Sequence, residues 1–309
     1  MSPRQTRSRT KEANAGAALP VPLPDIETLT LEKPDISPPA SDGVSQLPTA
    51  LTRAITGLKA NDHKILLRKQ TWLRQYSLEV PNQFTRHAGA LDATLVFAQE
   101  EAGTAVCIAP NGILLTCSHC VAESIDEWNK SKDRWLLFRS GVTVKASCIA
   151  WDERRDLALL QVVAAQRGGE DSGLSRFPFV SISPTAPAVN SRLVCAGHPG
   201  SEDLEASQPG IKTNYDVLHV SAGRYRGCAD DQDPQDNSEI GALMHDCWTY
   251  WGHSGAPLLD VKACKLIGLH SSWDDETGMR RGIPLEAIHE FLDEHKQHVP
   301  SIIDQMKHQ

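Results

Sequence analysis

From Leu91 onward the chain is cut by Gly, Pro, Asn and Asp into short β-branched and leucine-rich runs, which favours strands over helices throughout this region. These runs form two clusters. The first, from Leu91 to Val163, holds ATLVFAQ, TAVCIA, ILLTCS, RWLLFRS, VTVKASCIAW and LALLQVV. The second, from Phe177 to Trp273, holds FPFVSIS, RLVCAGH, VLHVSAGRYRG, GALMHDCW, APLLD and KLIGLHSSW. Between them AAQRGGEDSGLSR is polar, glycine-bearing and free of apolar periodicity, as a connector should be. Six candidate strands on each side predict an all-β fold made of two small barrels.

The flanks read differently. Residues 1–46 are expected to be a disordered tail, because Pro20, Pro22, Pro24, Pro34, Pro38 and Pro39 interrupt every helix and aromatic residues are absent. Residues 47–87 form a helical extension, read as two short amphipathic helices split near Asn61 and Asp62, with Leu66, Leu67 and Leu73 on one side. The first barrel then spans 88–163, the connector 164–176 and the second barrel 177–283. A terminal helix occupies 284–309, opened by Pro284, with apolar residues at helical spacing through Leu292.

Composition narrows the function classes. The 309 residues carry 31 Lys+Arg against 39 Asp+Glu, so the net charge is −8, and nucleic acid is an unsuitable partner. No apolar stretch is long enough to cross a bilayer, and the opening MSPRQTRSRTKEANAG lacks the hydrophobic block of a secretory signal. The expectation is a non-secreted chain, cytoplasmic or nuclear, with its eight cysteines as reduced thiols. Arg4, Arg7, Arg9 and Lys11 read either as a targeting address or as a solvated terminus.

Three strings carry chemistry. Trp251-Gly252-His253-Ser254-Gly255-Ala256-Pro257-Leu258-Leu259 sets a serine between glycines in a turn that opens a strand, where the amides of Gly252 and Ser254 can both face a developing oxyanion. Leu114-Leu115-Thr116-Cys117-Ser118-His119-Cys120 ends an apolar strand on a histidine, and Asp156-Leu157-Ala158-Leu159-Leu160 heads another with an aspartate. A serine hydroxyl needs a base to become nucleophilic, and the base needs a carboxylate to fix its tautomer. Asp156 is preferred over Asp152 for that role because an apolar strand follows it, whereas Asp152 lies in the charged turn DERR. Cys117 and Cys120 beside His119 also form a C-x-x-C, but no second ligand pair follows at metal-binding spacing, so neither metal nor cofactor is expected.

The strings TCSHC, DLALL and GHSGAPL, in this order and context, resemble the chymotrypsin-like (trypsin-like) serine proteases over roughly residues 88–292, in motif style near the Deg-type proteases and glutamyl endopeptidases. The resemblance implies a double β-barrel of the chymotrypsin type, with a C-terminal helix and the helical N-terminal extension. It implies His119 as general base, Asp156 as orienting carboxylate and Ser254 as nucleophile, with the oxyanion hole at the Gly252 and Ser254 amides. It further implies that Thr249 and His270, at the end of the strand after the serine, bind the carboxylate of an acidic substrate residue. Protein or peptide substrates follow, with no membrane partner; a catalytically inactive binding module on the same fold is the alternative.

Two departures from the family pattern matter. His253 stands where trypsin-type zymogens have an aspartate that captures a new amino terminus, so zymogen-style activation is not expected. Cys120 lacks the partner with which secreted trypsins bridge it, since Thr104 occupies that position. His198 and His245 are expected to be structural.

Overall fold

The computed structural model describes residues 44–51, 58–75, 85, 88–98, 103–166, 176–204 and 206–300. Two closed barrels of six strands make up most of it. A short strand β1 (Ser45–Gln46) and a helix α1 (Ala60–Gln75) come first, then the single-turn α2 (Ala88–Asp92). The first barrel is built from β2 (Thr94–Phe97), β3 (Thr104–Ala109), β4 (Ile113–Thr116), β5 (Asp133–Phe138), β6 (Thr143–Asp152) and β7 (Leu157–Ala165), with α3 (Ile125–Lys130) between β4 and β5. Its spatial order is β7-β4-β3-β2-β5-β6, and β6 pairs with β7 to close it. The second barrel holds β8 (Arg192–Gly197), β9 (His219–Cys228), β10 (Leu243–His245), β11 (Pro257–Asp260), β12 (Leu266–Trp273) and β13 (Arg280–Pro284) in the order β10-β13-β12-β11-β8-β9. Closure removes the open edges that a sheet of this size would otherwise expose.

Strands β2, β3 and β4 are buried along their whole length, which is why they read as continuous apolar runs and not as alternating ones. One core joins Leu95, Ile108, Leu115 and Leu159 of the first barrel with Leu259 and Ile283 of the second. It extends to Ile288, Phe291 and Leu292 of α4 (Leu285–Glu294), whose helix begins directly after Pro284. Leu193, Cys195, Leu243, Leu258 and Ile267 form a smaller core inside the second barrel.

The helix α1 is held by polar as well as apolar contacts. Leu66, Trp72 and Leu73 pack with Trp135 and Leu137 of the first barrel and with Val217 and Leu218 ahead of β9. Lys69 is buried and donates to the Phe97 carbonyl at 2.7 Å, while Gln70 donates to Gly141 O, Thr143 Oγ1 and Gln166 Oε1. A buried ammonium and a buried amide are tolerated only when satisfied in this way. Among the described residues no helix is long and apolar enough to cross a membrane.

Four expectations from sequence are corrected. The tail over 1–46 does not reach its end, because Val44 is buried and Ser45–Gln46 pair in parallel with Ala164–Ala165 of β7; the segment 1–43 lies outside the described residues. Asn61 and Asp62 are not a break between two helices but lie in the first turn of α1, with 52–57 outside the described residues. The segment FPFVSIS is not a strand. Pro178 removes a ladder donor, and the segment is instead held by Phe177 N–H to Pro110 O, Val180 N–H to Cys107 O and one bridge at Ile182. The sixth strand of the second barrel is β13, which its two arginines and closing proline disguise as a turn.

Candidate active site

His119 sits in a single 3₁₀ turn, Ser118–Cys120, at the exit of β4, and Asp156 stands immediately before β7. Since β4 and β7 are paired neighbours, the two residues meet at one barrel end. Asp156 is buried and takes a left-handed conformation, φ 54°, which aspartate tolerates better than most residues. Its Oδ1 accepts from Ser118 Oγ at 2.9 Å and from the His119 amide at 3.2 Å. The His119 Nδ1 lies 2.8 Å from Oδ1 and 2.9 Å from Oδ2. A carboxylate can only accept, so Nδ1 carries the hydrogen and a neutral ring keeps its lone pair on Nε2. The His119 side chain is 44% exposed. Asp152 is occupied differently: it accepts from the Arg155 amide and guanidinium within its own turn.

Ser254 lies on the second barrel, in a turn where Gly252 has φ 96° and Gly255 has φ 82°. The turn is bound to the first barrel through backbone: Thr104 N–H donates to Ser254 O at 2.8 Å, and Thr104 Oγ1 donates to Gly252 O at 3.3 Å while accepting from the His198 amide. A Cβ at Gly255 would stand 2.0 Å from Thr104 O and 2.4 Å from Thr116 Oγ1, so only glycine admits this approach. The Ser254 hydroxyl donates to Ser271 O at 3.2 Å. The Gly252 and Ser254 amides donate to no protein acceptor among the described residues, whereas those of His253 and Gly255 are used on Tyr250 O and His270 O.

The profile of the trypsin-like peptidase domain matches residues 103–269, more than half of the chain and the stretch that carries all three residues. The chain belongs to the trypsin-like peptidase domain family. No curated protein sequence matches it. Solved structures similar to it include the serine endoprotease from Yersinia pestis, at 18% identity over 70% of this chain and 67% of that one, with a TM-score of 0.49.

Behind the serine turn of this trypsin-like peptidase domain lies a group of buried imidazoles. His253 is held between the Tyr250 amide and carbonyl, each 3.1 Å from its Nδ1, and packs edge-on against Trp248. Burial pushes its pKa down to about 3, so the ring is neutral. His245 is likewise pushed down to about 3 by burial, and its Nε2 lies 3.1 Å from Nδ1 of His270. His270 itself is held well below its ordinary value, by burial first and then by His245 and His253. His198 is neutral for the same reason, with its Nδ1 on Val217 O.

His270 is 3% exposed and lies within β12, which runs three residues beyond it, so it does not end the strand as the sequence reading had it. Its carbonyl accepts from the Gly255 amide and from the Cys117 thiol. Thr249 is 1% exposed, and its hydroxyl is buried without a hydrogen-bond partner among the described residues. Side-chain atoms of Cys117, His119 and Asp156 fall within 4.8 Å of one another. Their chemistry does not suit a metal: burial raises the Cys117 thiol well above its ordinary pKa, so it is protonated, and the Asp156 carboxylate is already engaged by His119 and Ser118. All eight cysteines are free.

Sequence reasoning missed Thr104 and the His245–His270 pair. Thr104 acts through its backbone and one hydroxyl, and its position opposite Cys120 was the only signal. The imidazole pair required knowing that β10 and β12 both flank β13.

Proposed function

We propose that the chain is a serine endopeptidase that hydrolyses peptide bonds through an acyl-enzyme on Ser254. His119 accepts the serine proton at Nε2 as Oγ attacks the carbonyl and returns it to the leaving amine, while Asp156 holds the tautomer and stabilises the imidazolium. The observation that carries the reading is the doubled contact of His119 Nδ1 with the Asp156 carboxylate at 2.8 and 2.9 Å, which puts the ring hydrogen on Nδ1 and the lone pair on Nε2, as a base requires. For attack, the Ser254 hydroxyl turns its hydrogen from Ser271 O to that nitrogen. The Gly252 and Ser254 amides, which donate to no acceptor among the described residues, receive the oxyanion.

The reading extends to a preference for an acidic residue before the scissile bond. Among the described residues His245 Nδ1 is buried with no acceptor, so the hydrogen belongs on its Nε2 and is donated to His270 Nδ1. His270 then carries its own hydrogen on Nε2 as a donor. Together with the Thr249 hydroxyl, this offers hydrogen bonds to a carboxylate.

Fluorophosphonate labelling of the protein against its Ser254→Ala variant tests the nucleophile, with labelling of the first and none of the second expected. Failure of the unaltered protein to label would favour a binding module on a protease scaffold. Cleavage of matched peptides with Glu, Asp, Gln or Ala before the scissile bond tests the preference, and equal rates for Glu and Gln would remove it.

A further inference from the structure

The C-x-x-C around His119 takes no part in the reaction proposed above, yet its two thiols bracket the general base. Cys117 leads into the 3₁₀ turn and Cys120 ends it, and the Cys120 amide donates to Cys117 O at 3.3 Å. Residues three apart in such a turn are eclipsed, so the two side chains leave on one side. His119 lies between them, and no other two of the chain's eight cysteines are spaced in this way.

Both thiols cross to the second barrel. Cys117 Sγ donates to His270 O at 3.5 Å, and Cys120 Sγ donates to Ser254 O at 3.4 Å. One of these bonds ends on the proposed nucleophile itself. The other ends on the carbonyl that also accepts from the Gly255 amide. A thiol that becomes half of a disulfide loses the hydrogen it donates. A bond between Cys117 and Cys120 would therefore cut both links at once and draw the two Cβ atoms to about 3.8 Å on either side of the histidine.

The two sulfurs are unequal. Cys117 is buried, and burial first, then Cys120 and Asp156, holds its thiol well above the ordinary value. Cys120 is partly exposed, and the hydrogen bond from Cys117 lowers its thiol, against burial and with the help of His119. Burial raises the thiols of Cys107, Cys148, Cys195, Cys228 and Cys247. A thiolate is the form that attacks a peroxide, and a thiol beside it resolves the product.

We propose that Cys117 and Cys120 are a reversible modification site for hydroperoxides, a clasp whose closure frees the Ser254 carbonyl and displaces His119. The Cys120 thiolate attacks one peroxide oxygen and the O–O bond breaks. The other oxygen takes a proton from solvent and leaves as water or an alcohol, and Cys120 becomes a sulfenic acid. The Cys117 sulfur then displaces the hydroxyl: the S–S bond forms, the S–O bond breaks, and the hydroxyl leaves as water with the Cys117 proton. Two thiols are oxidised by two electrons and the peroxide is reduced by two. A dithiol reverses the bond by exchange. Formation of the disulfide is independent of the peptidase reading, whereas its effect on the serine rests on that reading.

The test treats the unaltered protein with hydrogen peroxide and reads mass and labelling in parallel. After free thiols are blocked with iodoacetamide, the peptide spanning 116–128 should carry no alkyl group and be two hydrogens lighter than its reduced form. The rate of fluorophosphonate labelling at Ser254 should fall by about tenfold or more, the scale of a small misplacement of reacting groups, and return on addition of dithiothreitol. Cys117→Ser keeps a donor for His270 O and should stop at a Cys120 sulfenic acid, which dimedone captures. Two alkylated thiols in the treated peptide, an oxidised Cys120 beside a free Cys117, or either one paired with another cysteine overturns the modification site. Unchanged labelling of protein that holds the disulfide overturns its hold on the serine. If the untreated protein does not label, the peptidase reading fails, and the mass of the peptide alone decides the modification site.

Discussion

At the candidate active site, the first barrel holds its side chains by charge and the second by exclusion of charge. Asp156 is a buried carboxylate surrounded by donors from Ser118 and His119, on a turn between two paired strands. Ser254 sits before a group of imidazoles, His245, His253 and His270, that burial keeps neutral. In the proposed reaction the difference follows from what each half must do. A base has to be polarised before reaction, which needs a fixed ion beside it, whereas a nucleophile turn has to present amides, which needs a rigid backbone and a low-dielectric backing.

The contrast breaks first at the ion. Asp156→Asn should lower kcat by about 10⁴-fold, because an amide that donates to Nδ1 traps the wrong tautomer. Asp152→Asn, whose carboxylate is bonded to Arg155 and not to His119, should change kcat by less than about threefold. Comparable losses in the two variants, measured on active-site-titrated enzyme, would mean that the wrong carboxylate has been assigned.

The second barrel breaks through backbone. Gly255→Ala should cost about 3 kcal/mol or more in urea unfolding, because its Cβ meets Thr104 O at 2.0 Å in a conformation that L-residues avoid. Gly278→Ala, also at positive φ but with nothing within 4 Å, should cost about 1 kcal/mol. Equal costs would show that the serine turn is not rigidly seated.

The buried imidazoles sharpen the comparison through pH. Their folded pKa values lie below the unfolded value of about 6.5, with His245 and His253 at about 3, so the unfolded chain takes up protons first. Stability from these groups is complete above about pH 6.5 and is lost as pH falls toward 3, at about 1.4 kcal/mol per pH unit for each histidine. Urea midpoints at pH 7.5 and 5.5 should differ accordingly, and His245→Gln should remove one proton from the slope. A flat profile would place charge where neutrality is argued. The smallest effect is expected at Thr104→Val, which removes the acceptor for the His198 amide and a hydroxyl bond to Gly252 and should cost about 1 kcal/mol.

What could be read from sequence tracks this same division. His119, Asp156 and Ser254 lie at the ends of apolar strands whose runs announce them, and the strands of the first barrel fall at Thr94–Phe97 through Leu157–Ala165 as the apolar runs had placed them. The second barrel was harder because its signal is less apolar. Arg280 and Arg281 concealed β13, while Phe177, Val180 and Ile182 imitated a strand although they pack as a connector. His270 could be placed by spacing from Ser254, yet its bond to His245 depends on which strands are neighbours, and that information resides in the closed order of the barrel.

The hydrogen bond from Thr104 to the Ser254 carbonyl joins a strand of one barrel to the proposed nucleophile on the other. It makes the serine's posture a gauge of the distance between the two halves. Anything that levers them apart by an ångström, whether a partner, a cleavage upstream or a mechanical load, would slacken that tether and turn the serine away before the His119–Asp156 couple, contained in a single barrel, registered any change.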